Sequence, residues 1–254
     1  MLRLFVGARQ VFQNVFWQRR RGMKAYTYLL VDFFTVIVCF VFSFHPRIRF
    51  DRHFPAFFKA SVLVALPFIA WDVHFEKSGI WWFNHDYTLG IDLLGLPLEE
   101  WLFFICIPFS CVFTYYCFNK FFYMKWADAP GKLLAVLVAV ACATALVFYG
   151  HQTYTSVTAV ATIATLAYLT FAAKAPWIGQ ATIVYIVLLA GFFPVNGILT
   201  GTGLEAPIVN YNPNEILNIR MLTIPIEDAF YGYTLFLLNV LFFNYFDKQA
   251  TSNL

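Results

Sequence analysis

Seven stretches of the chain stay apolar over the length a membrane helix needs, at about 26–44, 54–71, 97–118, 131–150, 154–173, 180–200 and 225–246. Each predicts a transmembrane helix, because backbone amides in hydrocarbon must find partners within their own segment. A barrel strand would alternate apolar and polar residues over about ten positions, and the chain has no such alternation. Polar turns separate the early spans: His45-Pro46-Arg47 follows the first, Asn119-Lys120 the third, and Pro130-Gly131 opens the fourth. The expected fold is an all-α integral membrane protein of about seven helices.

Two connections depart from this pattern. Residues 72–96 and 201–224 are long, rich in Trp, Asn, Asp and Tyr, and each runs into a proline and two acids at the head of a span. The first reads Pro97-Leu98-Glu99-Glu100-Trp101-Leu102-Phe103 and the second Pro225-Ile226-Glu227-Asp228-Ala229-Phe230-Tyr231. One pattern used twice implies an internal repeat: three helices over 23–120, a linking helix over 121–152, and three more over 153–254. An odd linker gives the halves one orientation, so they are expected as parallel repeats about an axis along the membrane normal. Both acid pairs would then face a shared cavity from the same membrane side.

Composition agrees: 61% of residues are hydrophobic, 20% aromatic and 12% charged, about half the charge of a soluble domain. Mean hydropathy is +0.67. A net charge of +3 gives no reason to expect a nucleic-acid partner. The five cysteines lie inside apolar runs with no CxxC or zinc spacing, and read as small buried hydrophobes. Residues 1–22 mix apolar residues with Arg, too polar to span and without a signal-peptide cleavage pattern. They read either as an interfacial helix or as an extension upstream of a start at Met23. The positive-inside rule divides: Arg19, Arg20, Arg21 and Lys24 vote for a cytoplasmic N-terminus, the loops holding Arg47, Arg49, Arg52, Lys120, Lys125 and Lys132 against it.

Prolines followed by acids are ordinary helix-start chemistry, where carboxylates complement the exposed amides. The repetition of the pattern, at spans otherwise nearly free of charge, points instead to function. Paired carboxylates in low dielectric cannot both ionise cheaply, so Glu99, Glu100, Glu227 and Asp228 offer an acid and a base at one place. Phe103 and Tyr231 lie one turn beyond Glu99 and Glu227. With Trp71, Trp82 and Trp101 they are candidates for stabilising a cation by their ring faces, the competing role being an interfacial belt. The Gly201-x-Gly203-x-x-Ala206 run has no strand before it and Pro207 after it, so it is no dinucleotide loop. No di-iron histidine spacing and no aspartate-rich diphosphate motif occurs, so neither a metal nor a cofactor is expected.

These motifs resemble the non-flavin, heterodimer-type lycopene cyclases, in which two three-helix membrane units each carry a P-x-E-[ED] motif, as separate chains or fused. Pro97-Leu98-Glu99-Glu100 and Pro225-Ile226-Glu227-Asp228 match the two motifs, and Trp71-Asp72 matches the acidic position ending the preceding helix. The likeness runs from Met23-Lys24-Ala25-Tyr26-Thr27-Tyr28-Leu29 to about Tyr245 and includes Gly79-Ile80-Trp81-Trp82-Phe83-Asn84 and Val195-Asn196-Gly197-Ile198-Leu199-Thr200. Asn196 stands in the second half where Asp72 stands in the first, so the halves need not be equally active. No prenyl-transferring synthase domain is attached, unlike the fused fungal members.

The resemblance implies a non-redox cyclisation of the linear ends of lycopene, or a related acyclic carotene, to β-type rings, giving beta-carotene. A carboxyl group protonates the terminal double bond, the next double bond along the chain attacks the cation, and a ring proton is lost. It implies Asp72 and Asn196 as support to the acids, a C40 substrate drawn from lipid, and a multi-pass place in the cell (inner) membrane. Other carotenoid enzymes or further copies of the chain are the protein partners left open. The alternative is a small proton-coupled transporter of the same three-one-three layout, against which stands the lack of the Pro-Gln turn such transporters carry.

Overall fold

The computed structural model describes Gly22 and residues 24–252, so the expectation for residues 1–22 falls, apart from Gly22, outside the described residues. Seven helices follow in order: α1 Thr27–Ser43, α2 Phe54–Lys77, α3 Leu98–Phe121, α4 Asp128–Tyr149, α5 Thr153–Ala167 with a π-turn at Tyr168–Ala172, α6 Ile178–Leu199 and α7 Ile226–Ser252. Six of them lie in segments long and apolar enough to cross a membrane. The seventh, α1, is apolar but has 17 residues, at the short limit of the spanning range. It stops ahead of Pro46, which disfavours helix in the residue before it. Pro55 stands in the first turn of α2, where its missing N–H costs nothing.

The two long connections carry short strands that hydrophobic spans do not announce. In the first, β1 Trp81–Phe83 is followed by a hairpin of β2 Asp92–Leu93 and β3 Leu96–Pro97. In the second, β4 Val209–Tyr211 is followed by a hairpin of β5 Arg220–Met221 and β6 Ile224–Pro225. The hairpins correspond residue for residue. Leu94 and Leu222, at matching turn positions, both take a left-handed φ, 57° and 60°, sparsely used outside glycine. Pro97 and Pro225 close the hairpins and hand the chain directly to α3 and α7.

β1 and β4 pair antiparallel across the two halves, Trp81 with Tyr211, Trp82 with Asn210, Phe83 with Val209. Asn84 N–H donates to the Ile208 carbonyl at 2.8 Å, and its counterpart Asn212 N–H donates to the Ile80 carbonyl at 2.9 Å. The strands are thus related by a local twofold through the Trp82–Asn210 pair. Side chains alternate across a strand, so Trp81, Phe83, Val209 and Tyr211 face inward as a lid over the bundle. Trp82 is 45% exposed on the outer surface.

Helix contacts break this twofold. α2 packs closely along α7, whereas the equivalent helices α6 and α3 meet over a much shorter length. The linking helix α4 docks on α5 and α6. It does so backbone to backbone: a Cβ on Gly131 would collide with the Gly179 carbonyl, and one on Gly179 with Asp128. Inter-helix hydrogen bonds from Ser110 to the Thr35 carbonyl (2.8 Å) and between Thr182 and Tyr233 (2.6 Å) hold the bundle where lipid supplies no hydrophobic drive.

Candidate active site

Successive residues on a helix point about 100° apart, and the motif acids divide accordingly. Glu99 and Glu227 turn toward the connections. Oε1 of each accepts a backbone N–H at 2.6 Å, from Leu89 and from Leu217 respectively, in matching loops ahead of the hairpins. Glu227 also accepts from Thr155 Oγ1 at 2.7 Å. Glu99 Oε2 and Glu227 Oε2 are buried with no protein partner. Neither glutamate lines the cavity; Glu100 and Asp228 do.

That cavity has a volume of about 1000 Å³ and lies beneath the lid, walled by α1, α3, α6 and α7. Its surface is mostly apolar, and its polar groups gather under β1 and β4. Glu100 Oε2 accepts from the Tyr28 hydroxyl at 2.6 Å. On its other side Glu100 faces Asp72 of α2, and two carboxyl groups so placed can hydrogen-bond only when one of them keeps its proton. Asp72 Oδ1 accepts in turn from the Tyr231 hydroxyl of α7 at 3.1 Å, a bond that crosses the halves. Across the cavity Asp228 has no acid partner. Its two oxygens accept from Tyr154 at 2.7 Å and Tyr211 at 2.8 Å. Tyr211 lies in the lid strand, where burial first and the Asp228 carboxylate second push its phenol well above the ordinary range. It therefore serves Asp228 as a fixed donor.

Aromatic faces complete the roof. Trp81 meets Tyr154 edge-on at 5.1 Å, Tyr154 stacks on Tyr211 at 5.8 Å, and Trp71 meets Tyr231 edge-on at 5.1 Å. Such a surface, dry and rich in π-electrons, suits a carbocation.

The residues expected from sequence are thus distributed unequally. Asp72, Asn196, Phe103 and Tyr231 line the cavity with Glu100 and Asp228. Trp71 stands behind Tyr231. Trp82 points away from the cavity, and Trp101 spends its indole N–H on the Leu93 carbonyl at 3.3 Å, bracing the hairpin. Four further residues join the site without having been anticipated: Tyr28, Tyr154, Tyr211 and Asp32. Asp32 is buried in α1 with Glu100 and Glu99 as its electrostatic neighbours and neither oxygen hydrogen-bonded. A repeated Thr-Tyr at 27–28 and 153–154 was the available sign for the first two tyrosines.

Fold and site together define a helical membrane protein of two repeats, closed at one end over an acid-lined apolar cavity. The chain belongs to the lycopene cyclase family, whose model matches residues 25–118 and 151–246, one segment in each repeat. It is accordingly a multi-pass membrane enzyme of carotenoid biosynthesis, a cyclase whose carotene substrate lies in a lipid environment. Comparison with curated proteins and with solved structures gives no match.

Proposed function

We propose that the protein is a lycopene beta-cyclase and that the hydrogen-bonded Glu100–Asp72 pair is its acid. Two neighbouring carboxyl groups buried under an aromatic roof, where both cannot ionise cheaply, are the observation that carries this reading. The pair gives its proton to the terminal double bond of the end group. The tertiary cation so formed is attacked by the next double bond along the chain, which closes the six-membered ring and moves the charge into it. Loss of a ring proton to the carboxylate left on the pair yields the β-ring and restores the pair. No electrons are exchanged and no proton is consumed.

Asp228, held by two phenol donors, is placed to offset the positive charge from the opposite wall, and Trp81, Tyr154 and Tyr231 offer ring faces to it. Glu99 and Glu227 act through the loops they anchor. Asn196 and Phe103 occupy the places that Asp72 and Tyr231 hold in the other repeat, so chemistry is assigned to one side. Basic residues gather at the end away from the lid, at Arg47, Arg49, Arg52, Lys120, Lys125 and Lys174, which supports a cytoplasmic far end in the cell membrane.

The test is expression in cells that accumulate lycopene. The wild-type chain is expected to convert the pigment to beta-carotene, and Glu100→Gln and Asp72→Asn to leave lycopene. A wild-type chain that leaves lycopene unchanged, or a Glu100→Gln chain that still cyclises, overturns the assignment.

A further inference from the structure

We propose that the carotene reaches the acid sideways, through a cleft between α1 and α6 open to the bilayer, and that only its end group is enclosed. The inference rests on the cyclase reading and adds its route and its substrate tolerance. The broken twofold is the first observation. α2 and α7 seal one side of the bundle, while the equivalent α6 stands off α3, and α1 and α6 touch only sparsely. The second is that cavity wall and outer surface meet along this seam. Leu30 (46% exposed) and Phe34 (66%) of α1, and Val187 (44%), Gly191 and Pro194 of α6, are at once cavity-lining and exposed. All five are apolar and lie in membrane-length segments.

The third observation is the site's position. The lid strands close the cavity over Glu100 and Asp72, so an extended polyene with its end under the lid cannot continue past it. The remainder must leave through the seam into hydrocarbon about 30 Å thick. An end group is therefore recognised by the cavity, and the far end is left in lipid. The enzyme should accept carotenes whose far end is already cyclised, and it should convert a symmetric substrate in two separate visits with release of a one-ring intermediate.

Gly191 is the place to test this. A Cβ there meets nothing within 4 Å, and replacing a mid-helix glycine favours the helix. A graded series Gly191→Ala, Gly191→Leu and Gly191→Trp would fill the mouth without straining the fold. Val136→Trp, on the exposed face of α4 and outside the cavity wall, serves as the control of equal bulk. Purified enzyme in lipid vesicles is given lycopene or a one-ring carotene, and thermal unfolding is followed alongside.

Val136→Trp is expected to keep the wild-type rate, while the Gly191 series slows with side-chain bulk and Gly191→Trp loses about tenfold or more at unchanged melting temperature. Wild type should convert both substrates at rates within about threefold. If Gly191→Trp folds and cyclises as wild type does, the seam is not the route. If wild type rejects the one-ring carotene, the far end is read and the proposal fails. If wild type cyclises neither substrate, it is the cyclase reading that fails.

Discussion

Glu100 and Asp228 occupy equivalent places in two repeats of one chain, each at the second acid of a P-x-E-[ED] motif and each bound by the tyrosine opening the first helix of its repeat. Their remaining partners differ in kind. Glu100 neighbours Asp72, which Tyr231 supports from the other repeat; Asp228 takes a second phenol, from Tyr211. Three substitutions between the halves make the difference: Asp72 against Asn196, Tyr231 against Phe103, and Phe83 against Tyr211. A donor of protons needs a proton to give, and a counter-charge needs donors that hold it fixed. On the proposed mechanism, duplication followed by these three changes yields one wall of each kind.

The widest break in this comparison would come from the acids themselves. Glu100→Gln is expected to lower cyclisation by about 10³-fold, within the span attributed to general acids. Asp228→Asn keeps one carbonyl acceptor for a tyrosine and can donate its amide N–H to the other phenol oxygen, and should lose only about tenfold through weakened cation stabilisation. Pigment extracted from lycopene-accumulating cells separates the two. Equal loss in both would mean that the halves are equivalent and that the Asp72–Asn196 difference carries no chemistry.

Converting one half into the other sharpens the point. Asp72→Asn installs the second repeat's residue and is expected to cost about 10²-fold, since the proton loses its shared site. Tyr231→Phe installs the residue at Phe103 and removes one hydrogen bond to Asp72. About tenfold is expected there, from ~1.5 kcal/mol for a hydrogen bond to a charged group. Initial rates with purified enzyme should rank the two in that order.

Much of this was legible in the chain. The seven apolar runs gave helices displaced by a few residues at their ends, and the doubled proline-acid pattern marked both walls of the site. What the sequence could not divide was each pair of acids. Glu99 and Glu100 are neighbours in the chain, yet one anchors a loop amide and the other lines the cavity, and the difference is set by loops and hairpins too short for periodicity to reveal. Trp82, a candidate for the cation-stabilising surface, looks outward, because alternation along the short strand turns Trp81 and Phe83 inward in its place. The bond from Tyr231 to Asp72 spans 159 positions and depends on how α7 lies against α2, which no local pattern encodes.

The first acid of each motif allows a comparison in which the halves should agree. Glu99→Ala and Glu227→Ala each strand a loop amide, at Leu89 and Leu217, and each is expected to cost ~1–3 kcal/mol of stability. Thermal unfolding in detergent should place the two variants close together, Glu227→Ala slightly lower because Thr155 also loses its acceptor. A large effect in only one half would mean that the connections, and not only the acids, have diverged.

The smallest expected effect again separates the halves. Glu215 Oε2 accepts the Thr153 N–H at 2.9 Å, one of the free amides that begin α5. That hydrogen bonding to Thr153 holds the Glu215 carboxyl below its ordinary value of 4.5. Its native form therefore binds fewer protons than the unfolded chain does, so the contribution is present above about pH 4.5 and fades as pH falls through the lowered native value. The corresponding residue in the first repeat is Tyr87, which carries no carboxylate, and α1 begins there beside Lys24 stacked over its ring at 5.8 Å. Acidification to about pH 4 should thus speed hydrogen exchange at the start of α5 and leave the start of α1 unchanged. Glu215→Gln should abolish the pH dependence at α5. Tyr154 follows Thr153 directly, so loosening this turn would reach the Asp228 wall and leave Glu100 and Asp72 untouched.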